Sequence, residues 1–154
     1  MTDPELLKGV DIFNGLTDQQ IHAVASICQE LELRQGDVVL QEHAQSDEMY
    51  VIAQGEVEVI LNVDANNCPV QTEDGQISII SLGAGQVFGE MALVDQGSRS
   101  ATIRCAVTPT RLLTLPHRAF MELCDKDARL GYVVMRNIAA DVCFKLRARN
   151  MMWG

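Results

Sequence analysis

Between Gln35 and Ser98 the chain has no lysine and no arginine, although eleven aspartates and glutamates lie in the same stretch. Such a block argues against the long-range attraction to DNA or RNA that a basic face provides. No apolar run approaches the ~20 residues that a membrane-spanning helix needs. The opening Met-Thr-Asp-Pro-Glu has neither the basic nor the apolar part of a signal peptide, so a soluble, cytoplasmic protein is the expectation. The five cysteines, Cys28, Cys68, Cys105, Cys124 and Cys143, form no Cys-x-x-Cys pair, which speaks against a disulfide framework or a zinc site and for buried free thiols. His22, His43 and His117 stand apart, and there is no Gly-x-Ser-x-Gly and no P-loop lysine motif. The usual signatures of an enzyme or a metal centre are missing, and neither a catalytic residue nor a metal ligand is expected.

The composition that is present suits one domain. At 154 residues and 47% hydrophobic content the chain is long enough for a single sizeable core. The net charge of −9 divides unevenly: residues 1–98 sum to −15 and residues 99–154 to +6. Arg99 is the first cation after the acidic block, and a lone guanidinium in that position calls for an anion. The basic excess further on includes Arg136, Lys145, Arg147 and Arg149; a solvated helix face is the plain reading of those four.

Periodicity orders the chain into three parts. Residues 3–30 read as helices. Leu6, Leu7, Val10, Ile12 and Phe13 make a short one, and Thr17 with Gln20 forms a capping box before the helical repeat of Ile21, Val24, Ala25 and Ile27. Residues 31–115 read as short β-branched strands over 38–40, 50–53, 57–61, 77–80, 101–107 and 112–115, with glycine at the reversals near Gly36, Gly55, Gly75, Gly83 and Gly85. Residues 64–75 read as an exposed hairpin loop. Residues 116–152 return to helix, broken at 125–127, and the second of these helices carries a stripe of Leu130, Val133, Val134, Ile138 and Val142. The fold class is therefore α+β: an antiparallel β roll, jelly-roll-like, flanked by N-terminal helices and two C-terminal helices.

The chemistry concentrates in residues 88–103. Gly89 opens a turn, and residues 90–94 suit a helical turn whose first amides are free to meet an anion. Arg99 offers a planar, permanently charged fork for two phosphate oxygens, and the small Ser100 and Ala101 leave their amides accessible. Glu90 repels phosphate but accepts from a hydroxyl. A phosphate beside a sugar hydroxyl satisfies both. The plainer alternative is that Glu90 and Arg99 pair with each other and merely stabilise a loop.

Phe88-Gly89-Glu90, the apolar run through Ala92 and Leu93, and then Arg99-Ser100-Ala101 closely resemble the phosphate-binding cassette of the cyclic nucleotide-binding domain family. The resemblance spans about residues 5–148, and Gly36, Gly55 and Gly85 fall on that family's turns. Met91 departs from the usual Leu or Ile only in shape. The resemblance implies a double-stranded β-helix in which Arg99 pairs with the cyclic phosphate and Glu90 accepts from the ribose 2′-hydroxyl. The amides near Gly89, Ser100 and Ala101 would hold the remaining oxygens, with Phe88, Met91 and Ala92 completing the ligand-binding set. Ser at position 100 leans toward cAMP over cGMP. A wall for the base is expected from Ile79, Val87 and Ile103. A lid is expected from the last helix, with Val142 and Trp153 as candidates and Phe144, Met151 and Met152 as rivals. No cofactor other than the nucleotide ligand is implied.

Family relatives act through an attached kinase, channel or DNA-binding domain. Only 34 residues follow Phe120, and the last helix takes most of them. A cAMP-sensing module that moves its C-terminal helix toward a separate effector protein is the expected reading, with no DNA-binding domain and no membrane segment in the chain. The stripe from Leu130 also suits pairing of two copies. Two alternatives stand beside it: an interaction domain that keeps the roll without binding nucleotide, and the regulatory part of a larger kinase, channel or transcription regulator.

Overall fold

The computed structural model describes residues 2–40, 48–60, 79–90 and 102–153, with residues 79 and 149–153 by backbone alone. The N-terminal part contains α1 (Glu5–Lys8), a 3-10 turn at Asp11–Phe13 and α2 (Asp18–Ile27). Among the described residues eight strands follow: β1 (Gln29–Leu33), β2 (Val38–Leu40), β3 (Glu48–Gln54), β4 (Glu56–Ile60), β5 (Ile79–Gly83), β6 (Val87–Phe88), β7 (Thr102–Cys105) and β8 (Thr110–Pro116). Helices α3 (His117–Lys126) and α4 (Ala128–Trp153) end the chain. The strands form two four-stranded antiparallel sheets, ordered β1-β8-β3-β6 and β2-β7-β4-β5. This is the α+β roll with flanking helices that the sequence predicts.

Strand alternation creates two cores from one sheet, because successive side chains leave a strand on opposite faces. Met49, Val51, Val87, Leu113 and Leu115 point outward from the first sheet into a core shared with Leu7, Ile21, Val24, Phe120, Leu130, Val134 and Ile138 of the helices. Their neighbours Tyr50, Ile52, Phe88 and Leu112 point the other way, into the roll, and meet Leu40, Val57 and Ile103 there. The first sheet therefore joins roll to helices, and a residue's place depends on its parity along the strand.

Local chemistry sets the element ends. The capping box of α2 is complete: Thr17 Oγ1 accepts from the Gln20 amide at 3.2 Å, and Gln20 Oε1 accepts from the Thr17 amide at 2.9 Å. Asp127 is the single residue between α3 and α4. Its Oδ1 accepts from the Leu130 amide at 3.1 Å, and its Oδ2 accepts from Gln20 Nε2 at 3.1 Å. The Leu130 and Gln20 hydrogen bonds hold this carboxyl below the usual aspartate range. Gly131 then lets α4 close on α3, since a Cβ there would come within 2.9 Å of the Cys124 Cβ.

Several boundaries differ from the sequence expectation. The first helix is split at Gly9, and α2 stops at Ile27 because Cys28 is already extended at φ −81° and ψ 149°. The chain enters β1 immediately, a mostly exposed strand at the edge of its sheet whose alternation carries little apolar signal. The 77–80 strand is placed at Ile79–Gly83, with residues 77 and 78 outside the described residues, as is the 64–75 loop. The two-residue β6 was not separable by pattern. Cys28 and Cys105 are buried thiols as expected, and burial pushes the Cys28 thiol up to about 12. Cys143 departs from that expectation: it is exposed on α4. Cys68 lies outside the described residues.

Candidate functional site

β6 leads into the site. Phe88 pairs in register with Tyr50 of β3, and the two rings stack with centroids 4.9 Å apart and planes 8° from parallel. Both rings belong to the core inside the roll. Gly89 takes φ +77°, a left-handed turn that glycine enters without a Cβ penalty. The turn places Glu90 with its side chain only 8% exposed.

A carboxylate that deep needs a partner, because burying an unpaired charge is strongly unfavourable. The partner comes from α4. Lys145 Nζ donates to Glu90 Oε1 at 2.9 Å and lies 3.0 Å from Asp141 Oδ2, one helical turn earlier. Burial lowers the Lys145 pKa, but Glu90 and Asp141 outweigh it and leave the ammonium above its ordinary value. The lysine remains 43% exposed while the glutamate is covered. The cation of the pair can therefore turn to water, and the anion cannot without moving the turn.

The sequence singles out Glu90 but reads Lys145 as one of several solvated basic residues. The structure corrects that reading for Lys145. Its one local sign was Asp141 four residues earlier, a spacing that brings two side chains together on a helix but does not reveal a third. Met91, Ala92, Arg99, Ser100 and Ala101 lie outside the described residues.

The residues expected around the base do not share one surface. Ile103 faces the roll interior with Phe88 and Tyr50. Val87 faces the opposite core, beneath the helices, and Val142 packs against that same core. A wall combining Val87 with Ile103 is thus divided by the sheet, for the parity reason given above. The side chains of Ile79 and Trp153, like those of Met151 and Met152, are outside the described set. Phe144, a rival for the lid, is 73% exposed.

Among the described residues, no three His, Cys, Asp or Glu side chains are placed to hold a metal ion, and no helix is long and apolar enough to cross a membrane. The site thus consists of a glycine turn on an antiparallel roll, a covered carboxylate, and a C-terminal helix that reaches back to that carboxylate. The chain belongs to the cyclic nucleotide-binding domain family, whose pattern matches residues 30–127. It is 29% identical over 147 residues to the cyclic AMP receptor protein of Thermus thermophilus, covering 94% of this chain and 61% of that one. It is 29% identical over 118 residues to a cAMP-dependent protein kinase regulatory subunit of Schizosaccharomyces pombe, covering 77% of this chain and 26% of that one. The crystal structure of the Thermus thermophilus catabolite activator protein superposes with a TM-score of 0.74 at 26% identity, over 93% of this chain and 61% of that one. The chain spans less than two thirds of the length of these relatives. The family is a regulatory, non-catalytic module.

Proposed function

We propose that this domain binds a cyclic nucleotide, cAMP in preference to cGMP, and signals by moving its C-terminal helix toward an effector protein in the cytoplasm. The observation that carries the reading is Glu90: a covered carboxylate on a glycine turn, whose protein partner is a half-exposed lysine able to give way. In this reading Glu90 accepts from the ribose hydroxyl, Arg99 pairs with the cyclic phosphate, and the amides of Ser100 and Ala101 take the other phosphate oxygens. The 29% identity to a cyclic AMP receptor protein across 94% of the chain supports cAMP, as does Ser at position 100. Phe144 and Leu146, exposed at 73% and 55%, are the apolar surface that a displaced helix would carry to its effector or to a second copy.

Titration calorimetry of the wild type and Arg99→Ala with cAMP and cGMP tests the ligand. The wild type binds cAMP more tightly than cGMP. The substitution weakens cAMP by about 100-fold, the scale of a lost charge-assisted bidentate contact. Equal affinity in both proteins contradicts the phosphate assignment.

A second reading has one observation behind it: Glu90 already has a cation, as it would in an interaction domain that binds no nucleotide. Purification without added ligand separates the two, since adenine absorbance released on denaturation excludes the second reading.

A further inference from the structure

The arginines at the start of α4 take no part in the site around Glu90, yet they are not scattered. Arg129, Tyr132 and Arg136 are all exposed, and their spacing of three and then four residues puts them on one face of the helix. The Arg129 guanidinium carbon lies 5.6 Å from the centroid of the Tyr132 ring and that of Arg136 lies 5.4 Å from it, so one aromatic ring holds both cations. Carboxylates do this work for Lys8, Arg104, Arg118 and Lys145. Among the described residues no carboxylate pairs with Arg129 or Arg136, although the chain carries a net charge of −9.

The helix beneath them is firmly seated. Leu130, Val133, Val134 and Ile138 are at most 2% exposed, and Asn137 Nδ2 donates to the carbonyls of Ile12 at 2.9 Å and Asn14 at 2.8 Å. Two guanidiniums already folded onto a ring on a fixed helix lose little freedom when an anion meets them. Tyrosine and arginine are also the residues that concentrate binding energy at protein interfaces. We propose that Arg129, Tyr132 and Arg136 form a docking surface for an acidic segment of a partner protein, whose carboxylates pair with the two guanidiniums while a neighbouring apolar side chain covers the Tyr132 ring, itself 51% exposed. Carboxylates four residues apart on a helix, or two apart on a strand, stand about 6–7 Å from each other and can reach both cations. A protein segment is favoured over a nucleic acid or an anionic membrane by the rest of the molecule: residues 1–98 sum to −15, and an extended polyanion would lay further negative charge against them. The inference gives the chemistry of the effector in the reading above and rests on that reading only for there being an effector; it needs no nucleotide contact.

Selection from a random dodecapeptide phage library on the wild-type protein, followed by fluorescence anisotropy of the enriched peptides, tests the surface. The enriched peptides are expected to carry two or more aspartates or glutamates. Their affinity is expected to fall about tenfold in Arg129→Gln/Arg136→Gln, the scale of two exposed ion pairs, and to stay within about twofold in Arg118→Gln/Lys126→Gln, which removes the same charge from exposed positions of α3. Thermal melts check that both double variants are folded. Equal losses in the two variants mark attraction by overall charge and overturn the proposal. So do enriched peptides without acidic residues, or acidic peptides that ignore Arg129 and Arg136. Heparin or phosphatidylglycerol vesicles that bind more tightly than every enriched peptide, and lose that binding in Arg129→Gln/Arg136→Gln, reassign the surface and overturn it as well. Calorimetry with cAMP on the same proteins separates the two readings: wild type that takes the peptides but no cAMP ends the ligand reading and supports the docking surface.

Discussion

The two halves of α4 are one continuous helix, yet they are secured by different physics. Residues 128–138 are fixed by burial of Leu130, Val133, Val134 and Ile138 and by the two carbonyls that Asn137 satisfies. Residues 139–148 keep only the partly buried Val142 against that core among the described apolar side chains, together with a polar contact whose lysine is 43% exposed. Burial is non-directional and has no simple substitute, whereas a hydrogen bond to a carboxylate can be replaced by another donor without loss. An element with a packed start and an exchangeable end can move as a lever without unfolding.

The comparison is broken most severely at the packed end. Leu130→Ala removes a fully buried side chain and is expected to cost about 2–5 kcal/mol in urea unfolding, while Phe144→Ala, at 73% exposure, stays within about 0.5 kcal/mol. Similar losses for the two would mean that the second half packs in solution as firmly as the first.

A smaller effect is expected at the helix start. Asp127→Ala removes the cap of α4 and its bond to Gln20, lowering Tm by about 2–4 °C near neutral pH. The folded-state pKa of Asp127 is lowered by the Leu130 and Gln20 hydrogen bonds, so its contribution is present above the ordinary value of 3.8 and fades as pH falls through the folded value. The Tm gap between the wild type and Asp127→Ala therefore closes on acidification below about pH 4 in thermal melts. A gap that widens there would contradict the assignment of Asp127 as a charged cap.

How far this arrangement was legible in the sequence depends on whether the chemistry is local. Thr17 and Gln20 announce α2 because a capping box is written within four residues. Phe88, Gly89 and Glu90 announce the turn and its carboxylate because the three are consecutive. Lys145 could not be read that way. Its partner is 55 positions away, and Asp141 four residues earlier marks a pair on the helix without pointing to Glu90. Val87 went astray for a different reason: its apolar character was right, but one step of strand parity sends it to the helix-side core while Phe88 enters the roll. β1 escaped notice because an exposed edge strand carries little periodic signal.

In the proposed reading, ligand at Glu90 is read out by the second half of α4. Hydrogen exchange of the wild-type protein with and without saturating cAMP tests it at the level of individual helix segments. The prediction is faster amide exchange over residues 139–148 when cAMP is bound, with 128–138 unchanged. Exchange that stays constant over 139–148 with cAMP bound, or that changes equally in both halves, would contradict it.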